Sequence, residues 1–172
     1  YHPLAYQRHL LEALLAAGKE HGLRLIGLHA LESLRLDKSY RAMYRDMNPE
    51  LSAWESGLER FIRLDKSDFI GKQALLAEKE RGIKQRSVTL AVETDGASTL
   101  TSKGVYHNGK LVGRVTSGSY SYTFNHDIAL ALLPDELGVP DTELEIPVLG
   151  KMRKARVIEE SPYDPEAKRA RV

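Results

Sequence analysis

No cysteine occurs anywhere in the 172 residues. Zinc–thiolate sites, iron–sulfur clusters, thiol nucleophiles and disulfides are thereby excluded. The absence permits a reducing compartment, and the chain is expected to be cytoplasmic. Long apolar runs are missing as well. None approaches the roughly 20 residues that span a bilayer, and no charged-then-apolar signal segment opens the chain, so no membrane is expected as a partner. Nor is charge of one sign in excess. The 25 Lys and Arg against 24 Asp and Glu leave a net charge of +1, which argues against a protein that coats nucleic acid or an anionic surface. No Gly-rich loop joins a strand to a helix, so phosphate cradling and dinucleotide binding have no support. The histidines (His2, His9, His21, His29, His107 and His126) form no helical i,i+4 pair and have no carboxylate cluster at ligand spacing. No metal site is expected from them. Without a Gly-x-Ser-x-Gly elbow, Thr116-Ser117-Gly118-Ser119 is expected to be a turn between strands.

What is present is a globular composition, 42% apolar and 28% charged, long enough for one medium domain or two small ones. The chain begins abruptly at Tyr1, without Met, and is expected to be a fragment cut from something longer. Pro3 followed by Leu4, Leu10, Leu11, Leu14 and Leu15, with Ala13, Ala16 and Ala17, predicts a helix ending at Gly18 or Gly22. Gly27 to Leu36 predicts a second helix. Phe61 to Leu64 is expected as a strand, and Gly71 to about Arg81 as a helix stopped by Gly82. From Ile83 the period turns strand-like. Ser87–Val92 is β-rich, and Val105–His107 and Leu111–Val115 flank Asn108-Gly109, a strong hairpin signal. Further strands are expected at Ile128–Leu133, Leu144–Val148 and Ala155–Ile158. Short strands separated by turns predict a small antiparallel barrel or sandwich.

Arg35 stands out as a cation between Leu34 and Leu36 that needs a partner if buried. It either pairs with Glu32 or Asp37 along its own segment or holds a ligand carboxylate. Trp54, Tyr40 and Tyr44 could stack on a planar ligand or simply pack. Lys151-Met152-Arg153-Lys154-Ala155-Arg156 carries four cations in six residues. It is either the solvated face of a strand and its turn or a groove for an RNA backbone.

The run Gly27-Leu28-His29-Ala30-Leu31-Glu32-Ser33-Leu34-Arg35-Leu36-Asp37-Lys38-Ser39-Tyr40-Arg41 closely resembles a signature of the glycine-cleavage T-protein (aminomethyltransferase) family. The resemblance continues through Glu55-Ser56-Gly57-Leu58, Leu64 to Leu75, Gly113 to Gly118, Ile128 to Ala131 and Ser161 to Pro165, and covers nearly the whole chain. The ending, with Tyr163-Asp164-Pro165-Glu166, Arg169 and Arg171, is most similar to the branch fused to flavin enzymes, the dimethylglycine and sarcosine dehydrogenases. The family pattern is broken at Ser39, where glycine is usual, and at Asp37, where glutamate is usual. Met43-Tyr44 replaces a common Trp-Gly pair, and Ser52-Ala53-Trp54 a Thr-Pro-Leu-like stretch.

The resemblance implies an α+β protein. Residues 1–82 would be the C-terminal portion of the tetrahydrofolate-binding aminomethyltransferase domain, and residues 83–172 a small antiparallel β-barrel. It implies one-carbon transfer to tetrahydrofolate from a methylated amine or an aminomethyl donor. Arg35 would be the family arginine that holds folate, with Trp54 and Tyr40 as lining candidates. The catalytic carboxylate and the acidic pterin ligand would precede residue 1, so no catalytic residue is assigned and the fragment alone is expected to be inactive. FAD, if the parent is flavin-fused, would lie upstream. A lipoyl carrier protein would be a partner if the parent is a true T-protein. The alternatives are a non-enzymatic folate-binding accessory protein of the same fold and, less favoured, an RNA-binding barrel.

Overall fold

The structure, a computed structural model, describes residues 1–96 and 101–171. The chain forms two compact units, Tyr1–Leu31 and Glu32–Val172. In the first, a 3-10 turn at Leu4–Tyr6 leads into helix α1, Gln7–Gly18, where the leucines and alanines supply helix propensity. Beyond it the chain turns back on the carbonyl of Gly18, which accepts from the amides of His21 at 3.1 Å and Leu23 at 2.9 Å. Leu4, Leu11, Leu14, Leu25 and Ile26 are exposed.

Helix α2 spans Leu28–Asp37 and helix α3 Lys72–Arg81. Strands begin four residues after α3, past Gly82, whose positive φ of 92° ends the helix. They are β1 Gln85–Val92, β2 Gly104–His107, β3 Lys110–Ser121, β4 His126–Pro134, β5 Glu143–Val148 and β6 Lys151–Ile158. All neighbours are antiparallel, in the order β1-β4-β3-β2-β5-β6, and β6 closes the barrel on β1 through Thr89↔Ile158 to Val92↔Ala155. The barrel predicted from the sequence is therefore observed. Asn108 and Gly109, at φ 51° and 74°, make the two-residue turn between β2 and β3, as hairpins of this twist require. Leu149 and Gly150, at 49° and 77°, do the same between β5 and β6.

The barrel core is built from alternate positions: Val88, Leu90 and Val92 of β1, Leu144, Ile146 and Val148 of β5, and their counterparts on the other strands. Strand β4 breaks the alternation, because Asp127 through Leu133 are buried without interruption. Its inward residues Ala129, Ala131 and Leu133 join the barrel core. Its outward Ile128 and Leu130 pack against Leu36 of α2 and Phe124. A run of apolar residues on a strand thus marks the site where a helix covers the barrel.

Two expectations are corrected. Phe61–Leu64 is not a strand. Glu59–Phe61 forms a 3-10 turn and the chain continues irregularly, with Phe61 exposed under the Arg60 guanidinium, 4.8 Å from the ring centre. The run is apolar enough for a strand but pairs with no described strand. Thr116-Ser117-Gly118-Ser119 is not a turn either. It lies inside β3, where a bulge between Val115 and Ser117 interrupts the period.

The exposed leucines and isoleucine of the first unit predict self-association of the isolated chain. Sedimentation velocity across a concentration series should show mass rising with concentration. A single monomer peak at the highest concentration would count against it.

Candidate functional site

Leu36 seats α2 on β4, and the Ser33 hydroxyl, donating to the Tyr120 carbonyl at 2.7 Å, anchors it to β3. This places Arg35 against the bulge of the barrel wall with its side chain only 12% exposed. Its guanidinium makes five hydrogen bonds. Nε donates to Glu32 at 3.1 Å, and Nη2 donates to the other Glu32 oxygen. Nη1 donates to the Tyr40 carbonyl at 2.7 Å and to Asp46 Oδ2 at 2.9 Å, and Nη2 also donates to Ser117 Oγ at 2.7 Å. An arginine has five N–H donors, so each is matched by a protein acceptor.

Asp46 is the other half of this node. Its side chain is wholly buried. Oδ1 accepts from Thr116 Oγ1 at 2.6 Å, and Oδ2 accepts from Arg35 and from the Ala42 amide at 2.8 Å. The bulge explains how two successive β3 residues reach the same cluster. Extra residue Thr116 has no partner on β4 while Val115 and Ser117 do, so Thr116 meets Asp46 and Ser117 meets Arg35. Arg45 adds a second cation on Glu32 at 2.7 Å. Burial alone would raise the Glu32 carboxyl, but the hydrogen bonds and charges of Arg35 and Arg45 outweigh it and hold the group below its ordinary value.

Two residues of the segment after α2 share an unusual backbone. Ser39 has φ 53° and Tyr44 has φ 67°, a left-handed conformation costly for residues with a Cβ. At Ser39 the side chain compensates. Its hydroxyl lies 2.8 Å from Thr89 Oγ1 of β1 and accepts from the Ser161 amide at 2.9 Å. Around it the C-terminal segment closes over the end of α2. Ser161 Oγ donates to the Lys38 carbonyl at 2.8 Å, the Tyr163 amide to the Asp37 carbonyl at 2.9 Å, and Lys38 Nζ to the Tyr163 carbonyl at 3.1 Å. Tyr44 has no such return and its ring is exposed.

Of the residues singled out from the sequence, Arg35 and Tyr40 come together, through the Tyr40 carbonyl. Tyr40 is exposed, and Lys38 Nζ lies over its ring, 5.9 Å from the ring centre. Trp54 is elsewhere. It is buried, its indole N–H donates to the Leu75 carbonyl of α3 at 3.0 Å, and Lys79 lies 5.9 Å from its ring centre. No hydrogen bond or ring contact among the described residues links it to Arg35. Asp46, Thr116 and Ser117 escaped sequence reasoning. The one available signal was a cation set between Leu34 and Leu36, for which Glu32 and Asp37 were the local partners. In the basic run, Arg153 pairs with Asp95 and Arg156 with Asp141. Lys154 and Arg156 share a hollow of about 720 Å³ on the barrel exterior with Glu93, Glu143 and Glu145. That mixed face lacks the positive field an RNA backbone needs.

A family model described as the GCVT N-terminal domain matches residues 1–66, and one described as the glycine cleavage T-protein C-terminal barrel domain matches residues 85–164. The chain belongs to the glycine-cleavage T-protein family. Within it, the chain is 40% identical over its whole length to mouse mitochondrial dimethylglycine dehydrogenase, of which it covers 20%. It is 35% identical, over 92% of its length, to an aminomethyltransferase of Desulfitobacterium hafniense, of which it covers 43%. The crystal structure of the glycine cleavage system aminomethyltransferase T from Bartonella henselae has the same fold, with a TM-score of 0.83 at 24% identity over 95% of this chain and 45% of that one. The chain thus spans less than half the length of these relatives. Among its described residues no helix is long and apolar enough to cross a membrane.

Breaking a buried ion pair costs about 3–5 kcal/mol, so Asp46→Ala should lower unfolding stability by that order in urea titrations. The Glu32 carboxyl is depressed in the folded state. Its contribution is therefore complete above the unfolded glutamate value of about 4.3 and drains as pH falls through the lower folded value. The stability gap between the wild type and Glu32→Gln should be widest near neutrality and shrink below about pH 4.3.

Proposed function

We propose that the chain is part of a tetrahydrofolate-dependent aminomethyltransferase-type enzyme that moves a one-carbon unit from a methylated amine or an aminomethyl donor. The observation that carries this reading is the match of two family models, in order, to the two parts of a chain whose fold also superposes on an aminomethyltransferase. In this reading residues 1–82 complete the folate-binding domain and residues 83–172 are its barrel. FAD upstream belongs to the proposal if the parent has the length of a dimethylglycine dehydrogenase. A lipoyl carrier protein belongs to it if the parent has that of an aminomethyltransferase. A cytoplasmic location is also part of the reading, although the mouse relative is mitochondrial by name.

The residues present fit folate only in part. Arg35 has no N–H left for a glutamyl carboxylate, so its service to the site is indirect. By gripping the Tyr40 carbonyl and Asp46 it fixes the segment that carries the Tyr40 ring. Tyr40 is the side chain suited to lie against a flat pterin or aryl group. Trp54, locked under α3, supports the wall rather than the ligand. No general acid or base is assigned to this chain, and alone it is expected to be inactive.

Calorimetry on the full-length parent checks this. Tetrahydrofolate should bind, and Tyr40→Ala should weaken it about fivefold, the worth of one aromatic contact of roughly 1 kcal/mol, without lowering the melting temperature. Arg35→Ala should lower both affinity and melting temperature. Binding without turnover of any methylated amine would favour the accessory-protein reading, and no binding would remove folate altogether.

A further inference from the structure

Asparagine occurs at positions 48, 108 and 125, and the residue that follows decides what each can undergo. Asn48 precedes Pro49, which has no amide hydrogen to lose, and its side-chain oxygen already accepts from the Glu50 amide at 2.8 Å. Asn125 precedes His126, whose side chain crowds the peptide nitrogen and whose ring lies 6.0 Å from that of Phe124. Asn108 precedes Gly109, and there nothing stands in the way. Both residues are exposed, and no atom lies within 4 Å of where a Gly109 Cβ would be. The pair His107↔Lys110 closes the ladder of β2 and β3, so the Gly109 amide lies outside it.

The turn is carried by a lightly tied strand. β2 has four residues, slips register against β3 between Val105 and Tyr106, and meets β5 at a single register pair, Tyr106↔Glu145. Beyond that pair, His107 Nδ1 lies 2.9 Å from the Glu143 carbonyl. Opening a hairpin end with so few bonds costs little, and it frees Asn108 from the left-handed backbone of the turn. Asn108 also lines the hollow of about 720 Å³ that holds Glu143 and Glu145.

We propose that Asn108 is a site of spontaneous modification, converting to aspartate and isoaspartate through a cyclic imide with Gly109. When the turn opens, the Gly109 nitrogen gives up its proton to hydroxide and attacks the Asn108 side-chain carbonyl carbon. A nitrogen–carbon bond forms there and the bond to the side-chain nitrogen breaks. That nitrogen takes a proton from water, which restores the hydroxide, and leaves as ammonia. Water then opens the ring. Breaking the new bond leaves ordinary aspartate, whereas breaking the original peptide bond leaves isoaspartate, with the chain running through the side-chain carbons. Either product adds a carboxylate to the hollow of Glu143 and Glu145, and like charges across a sheet repel. Isoaspartate also lengthens the main chain inside a turn built for two residues of positive φ. The seam between β2 and β5 is where the barrel then loosens. The residue best suited to build this turn is thus also the one that wears out. None of this rests on the folate reading.

The test ages the full-length parent at physiological temperature and mildly alkaline pH, with and without urea, and reads its tryptic peptides by mass spectrometry. Gly104–Lys110, released by cleavage after Lys103 and Lys110, carries Asn108 as its sole asparagine. It should gain the mass difference between an amide and an acid and resolve into aspartyl and isoaspartyl forms. Conversion should quicken as pH rises and in urea, while the peptides holding Asn48 and Asn125 stay unchanged over the same period. Hydrogen exchange at β2 and β5 should become several-fold faster in the aged protein than in the fresh. An aged Asn108→Gly variant, whose Gly-Gly pair keeps the turn, should show no such change. No conversion of Asn108 in the folded protein while the urea sample converts would overturn the proposal. So would conversion at Asn125 as fast as at Asn108, a rate indifferent to pH, or a converted protein that exchanges like the fresh one.

Discussion

One buried ion pair organises this molecule. Arg35 and Asp46 lie outside the barrel, yet their remaining hydrogen bonds reach Glu32 on the helix, Tyr40 and Ala42 on the following segment, and Thr116 and Ser117 on the barrel wall. A carboxylate and a guanidinium out of water are tolerated only when paired and fully hydrogen-bonded. The helix, segment and bulge must therefore adopt one mutual arrangement to satisfy both charges. An apolar replacement of matching volume would be as stable or more so. What the charged node contributes is a single register for three elements that apolar packing of Leu36 on Ile128 and Leu130 would leave freer to slide.

Backbone geometry and side-chain chemistry trade against each other at the end of α2. A glycine would adopt the conformation of Ser39 without strain. Serine accepts the strain and gains a bridge from β1 to the C-terminal segment. Tyr44 shows the same conformation without the return. The two left-handed residues thus differ in kind. One knits the fold together and the other sets an aromatic ring in solvent.

How legible was all this in the residues themselves? The barrel was, because Val88, Leu90 and Val92 alternate and Asn108-Gly109 admits few conformations other than a tight hairpin. Strand β3 was cut short in the reading since Thr116-Ser117-Gly118-Ser119 has turn composition. Only the tertiary demand of Asp46 and Arg35 explains hydroxyls in mid-strand. Strand β6 was likewise shortened, because Lys151 to Lys154 look solvated, as the outward side chains are. Arg35 needs a partner on the sequence alone, and of the two local carboxylates Glu32 supplies it while Asp37 accepts from Thr123 instead. Asp46 was missed because no local spacing connects a helix residue to a carboxylate eleven positions on. Trp54 misled because an aromatic side chain has the same composition signal whether it faces a ligand or, as here, a helix carbonyl.

The return of the C-terminal segment to α2 has a consequence for how the protein is made. Ser39 shares its hydroxyl with Ser161, 122 positions later, and β1 waits for β6 to close the barrel. During synthesis the sheet edge of β1 and the end of α2 therefore stay unsealed until β6 and the Ser161 segment have appeared. Contacts between distant positions fold slowly, and unpaired strand edges aggregate while they wait. The interval between the synthesis of β1 and of β6 is when this fold is most in need of a chaperone.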